Sequence, residues 1–145
     1  VSVPDREVAV IVADLLDRGE KLDALSRLLS AVTLGGLIAT VFGPARPALV
    51  GGFAFSLLCG LFEAFLALRI GFDAALFRRI SDGGLDLAAL DGAMLRLGLL
   101  PPEKSGRAIE ARFAGARRLL VRQGIALVGQ IFSATAVIVL HTIPA

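Results

Sequence analysis

The sequence predicts an all-α integral membrane protein. It has three transmembrane helices (a tight hairpin of spans one and two, then span three) and a cytoplasmic amphipathic helical hairpin. Three observations predict it. Apolar residues make up 56% of the 145-residue chain and charged residues only 19%, below the roughly 25% charge of an ordinary soluble domain. The apolar residues collect in three long runs. Proline and glycine clusters punctuate the chain where those runs must stop. A chain of this length forms one domain, and its polar residues are too few to cover three such runs in water.

The first run, residues 28–43, is LLSAVTLGGLIATVFG and carries no charge. As a helix it is about 24 Å long, short for a hydrocarbon core of roughly 30 Å, so it needs length from its flanks, with Arg27 extending its charge toward the surface. GPARP at 43–47 ends it and starts the next helix. The second run, residues 48–68, is ALVGGFAFSLLCGLFEAFLAL, with Glu63 its only charge. The third occupies residues 119–143, and its charge-free part begins after Arg122.

Orientation follows from lysine and arginine in the flanks. Residues 1–27 hold four, residues 69–122 hold ten, and the first turn holds only Arg46. The N-terminus and the middle segment are therefore expected in the cytoplasm of a bacterium, at its inner membrane, and the C-terminus in the periplasm. VSVPDREVAV lacks the basic start of a cleavable signal peptide.

Outside the runs, residues 1–27 form an amphipathic helix. Asp5 is placed to cap it after Pro4, the apolar stripe is Val8, Ile11, Val12, Leu15 and Leu16, and Gly19 marks a break. Acidic residues outnumber basic ones over 5–29, six to four, so this face is expected to pack on protein rather than on lipid headgroups. The second span continues through Phe72, Leu76 and Ile80 until SDGG at 81–84. A further helix carries Leu87, Leu90, Met94 and Leu97 on one face, with Asp86, Asp91 and Arg96 off it, and Pro101-Pro102 ends it. Helix resumes near residue 103 or 105 and enters the third span. This middle segment, residues 69–118, is the expected hairpin. Arg107, Arg112, Arg117, Arg118 and Arg122 crowd its exit, where each contributes about 1 kcal/mol toward anionic headgroups, or where together they form a docking surface for an acidic partner or a specific anionic lipid.

Small residues repeat at intervals of four: Ala31, Gly35, Ala39 and Gly43 on the first span, and Gly52, Ser56, Gly60 and Ala64 on the second. Within lipid, close backbone approach drives helix association, so the two ridges are expected either to face one another in the hairpin or to face a neighbouring subunit.

Glu63 is the anomaly. A carboxylate turned to hydrocarbon costs several kcal/mol or takes up a proton. Gln130, Arg122, Thr33 and Thr40 are candidate partners, and a Glu63–Gln130 hydrogen bond, with Glu63 protonated or aided by Arg122, is the expected one. Glu63 then serves as internal glue or as a titratable site for proton or cation movement.

Catalysis finds no support. No zincin, nucleophile-elbow or P-loop motif is present. The single cysteine, Cys59, excludes a disulfide framework or cysteine cluster. His141 has no carboxylate neighbour in sequence. No cofactor, no metal and no nucleic-acid partner are expected. The function expected is that of a non-catalytic structural, assembly or scaffold subunit of a membrane complex, associating through the small-residue ridges and amphipathic helices. Its partners are the bilayer and other subunits or copies of itself. The alternative is a small oligomeric channel or proton-coupled transporter subunit using Glu63.

Overall fold

A computed structural model describes residues 3–43 and 46–142, without the side chains of Pro4, His141 and Thr142. Part of the GPARP turn, the end of the third span at Ile143 and the His141 side chain thus lie outside the described residues. Five α-helices follow one another: α1 (Val3–Asp17), α2 (Gly19–Ala39), α3 (Pro47–Ser81), α4 (Leu87–Arg96) and α5 (Ile109–Thr142), with a short 3₁₀ turn at Pro102–Lys104 before α5. No strand occurs among the described residues.

Three helical stretches are long and apolar enough to cross a membrane: Asp5–Ala39, Pro47–Ser81 and Ile109–Leu140. They support a multi-pass membrane protein. The break expected at Gly19 falls one residue earlier, at Arg18, but Arg18 keeps helical dihedral angles (φ −64°, ψ −22°), so α1 and α2 follow one path about 50 Å long. Pro47 opens α3 at a position where a missing N–H costs nothing, and no proline interrupts the helix afterwards. Arg78 and Arg79 lie in its last turn, where positive charge suits the carbonyl end of the helix dipole. Arg78 also pairs with Asp17 of α1.

One series of buried positions recurs every seven residues on all three long paths, with further buried residues between its members. On α3 they are Leu49, Ser56, Glu63, Ile70 and Phe77. On α5 they are Ile109, Ala116, Gln123, Gln130 and Val137. Along α1 and α2 they are Val12, Gly19, Ser26 and Thr33. A seven-residue repeat is the pattern of left-handed knobs-into-holes packing. α3 runs against the other two, so the repeats stack in layers: Val12 with Ile70 and Ala116, Gly19 with Glu63 and Gln123, Ser26 with Ser56 and Gln130.

The layers differ in chemistry. At the end that includes α1, an apolar cluster joins Ala9, Val12, Ala13 and Leu16 to Ile70, Phe77, Ile80, Leu90 and Ile109. The amphipathic α1 therefore packs on the chain's own middle segment, through Val12 and Leu16 of the expected stripe with Val8 against them, but the face is rotated toward Ala9 and Ala13, which are buried, and away from Ile11, which is 68% exposed. Farther along, the pattern inverts. The buried residues of α2 are Gly19, Asp23, Ser26 and Thr33, while Leu25, Leu28, Val32, Leu34 and Ile38 are exposed. A water-soluble bundle does the opposite. An apolar exterior around a polar interior belongs to a hydrocarbon solvent, where the polar groups satisfy one another.

The middle segment holds the continuation of α3, the ten-residue α4 and the start of α5. α4 ends before the proline pair, because Gly98 adopts φ +66°. Leu99 N–H then reaches back to Met94 O and Gly98 N–H to Leu95 O, closing the helix with a left-handed glycine cap. Asp91 is inside rather than off the packed face, 4% exposed. It accepts from Gly106 N–H at 2.7 Å and from Arg112 Nη2 at 2.6 Å, tying α4 to α5. Burial pushes its carboxyl upward, but the Gly106 N–H, the Arg112 guanidinium and the Ser105 hydroxyl outweigh that and hold it below the usual carboxylate range. With the folded value lowered, this contribution is fully present above pH ~4 and is lost as pH falls through the folded value. Pepsin should therefore cut the α3–α5 connection increasingly below pH ~4. Asp91→Asn should open it already at higher pH, since losing the charged partner costs about 2 kcal/mol. Identical pepsin profiles for the two proteins would contradict the tie.

Candidate functional site

The polar interior of the three long helices is the one concentration of chemistry in the spans. Glu63, Gln123 and Gln130 are each 0% exposed. Glu63 projects from α3 into the layer of Gly19 and Gln123. The carboxamide of Gln123 donates from Nε2 to Glu63 Oε1 at 2.6 Å and to Gly19 O on α2 at 3.0 Å. One amide thus bridges all three helices. The two helices approach closely here: a Cβ at Gly19 would stand 2.9 Å from Gln123 Oε1, so the amide would have to shift.

The next layer lies one seven-residue step away, about 10 Å along the axis. There Gln130 Nε2 donates to Ser26 O at 3.1 Å and to Ser30 Oγ at 2.9 Å, while Ser26 Oγ donates to Gln130 Oε1 at 2.8 Å. Ser56 Oγ leans on Gln130 O at 3.4 Å. Ser133 Oγ closes the far side by donating to Gly52 O at 2.9 Å. Thr33 stays local and donates to carbonyls of its own helix.

The expected Glu63–Gln130 bond is therefore replaced by Glu63–Gln123. Gln130 lies level with Ser56, one layer too far along α5 to reach the carboxylate. Arg122 does not aid Glu63 either. It is exposed, and it lines an outer groove with Phe55, Leu58, Phe62 and Ile125. Thr40 bonds to Leu37 O instead. Hydrogen bonding leaves Glu63 Oε2 and Gln123 Oε1 without a partner.

The two small-residue ridges part company. On α3, Ser56 and Gly60 are buried and Gly52 and Ala64 half-buried. A Cβ at Gly60 would run into Ser30 Oγ and the Gln130 amide, and one at Gly52 into Val137. On α2, Ala31, Gly35, Ala39 and Gly43 are all exposed. The hairpin does not close ridge on ridge, because α2 must face α3 and α5 together and turns Ser26, Ser30 and Thr33 toward both. Among the arginines near the third span, Arg107, Arg117 and Arg118 are exposed. Arg112 is not: its side chain is 15% exposed and committed to Asp91.

Sequence reasoning missed Gln123, Asp23 and Asp91. Asp23 is 5% exposed and pairs with Arg27 one turn along α2. The signal for Gln123 was its distance from Gln130, which equals that from Ser56 to Glu63. Comparison with protein-family models, curated proteins and solved structures finds no match to this chain.

Proposed function

We propose that the chain is a non-catalytic structural, assembly or scaffold subunit of a bacterial inner-membrane complex, joined to other membrane subunits or to copies of itself. The supporting observation is how the spans divide their surfaces. Inward-facing Glu63, Gln123, Gln130, Ser26, Ser30 and Ser133 hydrogen-bond across α2, α3 and α5. The small-residue ridge of α2, from Ala31 to Gly43, is turned outward, where a second helix backbone can approach closely. The apolar stripe of α1 is used within the chain, so the α2 ridge becomes the principal contact. The lysine and arginine distribution supports a cytoplasmic N-terminus and middle segment and a periplasmic C-terminus.

Particle mass in native lipid tests this. The protein should run as a multiple of its 15.1 kDa chain or with other subunits. Gly35→Leu should shift it toward single chains, since a Cβ at Gly35 meets nothing within 4 Å of its own fold. A wild-type particle holding one chain and nothing else would end the proposal.

A second reading is favoured by one observation. Two buried acceptors without donors, Glu63 Oε2 and Gln123 Oε1, cost about 1–3 kcal/mol each, and a proton on the carboxyl would turn one of them into a donor. In this reading Glu63 takes up and releases a proton as part of a small oligomeric channel or proton-coupled transporter. Glu63→Gln preserves shape and offers an N–H in place of that proton. If Glu63 is glue, the Gln variant keeps both assembly and any proton flux through reconstituted vesicles, and Glu63→Ala loses assembly. If Glu63 carries protons, the Gln variant assembles normally and flux stops.

A further inference from the structure

We propose that the seam between α3 and α5 is a binding site for one anionic phospholipid, with an acyl chain in its membrane half and the phosphate between Arg122 and Arg69. The proposal rests on the chain being a bilayer protein and not on what it assembles with.

Two grooves lie on this seam. The first, about 430 Å³, has Phe55, Leu58 and Phe62 of α3 on one wall, Ile125 of α5 on the other, and Arg122 at its end. Its floor is low because Gly129 sits over Cys59, where even a Cβ would be 3.6 Å from Sγ. The second, about 530 Å³, begins at Phe65 and Leu119 and continues past Arg69 to Lys104 and Arg107. Each volume is of the size that holds small ligands. Phe62 and Phe65 are one turn apart on α3, and so are Arg122 and Leu119 on α5, so each pair shares a helix face and the grooves meet end to end.

Charge and apolarity are ordered along this path. The half bounded by Phe55 and Ile125 offers hydrocarbon. Arg122 and Arg69 mark the change, and beyond them the groove is lined by Lys104, Arg107 and the carboxylate of Asp73. Among the described residues no carboxylate forms an ion pair with Arg122, and the contact of Arg69 with Asp73 is long, 4.0 Å, with the Arg69 side chain 51% exposed. Arg112, by contrast, is neutralised by Asp91 at 2.6 Å. Guanidinium groups suit phosphate oxygens, and an apolar trough leading away from them suits an attached chain. Arg117 and Arg118, also exposed on α5, line neither groove and serve as an internal control.

The chain has no tryptophan, so Phe62→Trp supplies a single reporter in the groove. The full-length variant is placed in phosphatidylcholine vesicles containing a minor fraction of brominated phosphatidylglycerol or, in parallel, of brominated phosphatidylcholine. The expected result is roughly thirtyfold preferential quenching by the anionic lipid, the scale set by two interfacial arginines. Adding Arg69→Gln with Arg122→Gln should bring the preference close to one. Adding Arg117→Gln with Arg118→Gln, the same change in charge, should leave it in place. Gly129→Leu, which raises the floor, should weaken quenching by either lipid. Equal loss from the two arginine pairs, or equal quenching by the two lipids from the start, would overturn the site. A protein that fails to float with the vesicles would instead refute the bilayer reading, so the two failures are distinguishable.

Discussion

Gly60→Leu is expected to separate the three long helices. Gly60 lies where α3 comes closest to Ser30 of α2 and Gln130 of α5, and even a Cβ would collide with both side chains. Both neighbours can yield only by giving up the hydrogen bond between them. Overpacking alone costs about 1–3 kcal/mol. Displacing Gln130 removes further interhelical bonds worth about 0.6 kcal/mol each in lipid. A total of about 3–5 kcal/mol is a large part of a typical stability margin. The same substitution at Gly71, where a Cβ meets nothing within 4 Å, should cost less than about 1 kcal/mol despite lying on the same helix. Unfolding in mixed detergent micelles, followed by circular dichroism, compares the two. Similar midpoints would show that α3 does not approach its neighbours at Gly60.

Gln130→Ala should have the second largest effect. Three side-chain hydrogen bonds connect Gln130 to Ser26 and Ser30. At about 0.6 kcal/mol each they account for about 2 kcal/mol, and the space left by the amide raises the cost to about 3 kcal/mol. Gln130→Leu should cost less, since it fills the space and Ser26 can turn its hydroxyl to a carbonyl of its own helix. A double-mutant cycle apportions the effect. Ser26→Ala with Gln130→Ala should show coupling of about 1 kcal/mol, and Gln123→Ala with Gln130→Ala almost none, because the two amides serve different layers. Strong coupling between the amides would mean that the layers act as one network.

The three long helices were legible from local composition because hydropathy needs no knowledge of neighbours. The inward faces were not. Along α1, Val12 and Leu16 of the expected stripe are in the core and Val8 packs against it, but Ile11 was favoured over Ala9 and Ala13 by side-chain size, whereas small residues are what let α1 lie close to α3. Along α2 the apolar residues point outward, so an apolar stripe does not mark the core there. The partner of Glu63 was missed by one layer for a related reason. Depth in the membrane ranks polar residues along each span, but the register between antiparallel helices is set by the whole connection from residue 82 to 108, which depth does not resolve. The equal spacings Ser56–Glu63 and Gln123–Gln130 contain that register, yet the pattern is visible only when polar and apolar residues are counted together as one repeat.

The repeat constrains how the length of this chain can change. A single residue inserted into α5 between Gln123 and Gln130 would rotate everything after it by about 100°, leaving one carboxamide among its partners and swinging the other toward lipid. Adding or deleting seven residues would nearly restore the facing of each side chain. Natural variants should therefore change length within the spans, if at all, in whole repeats.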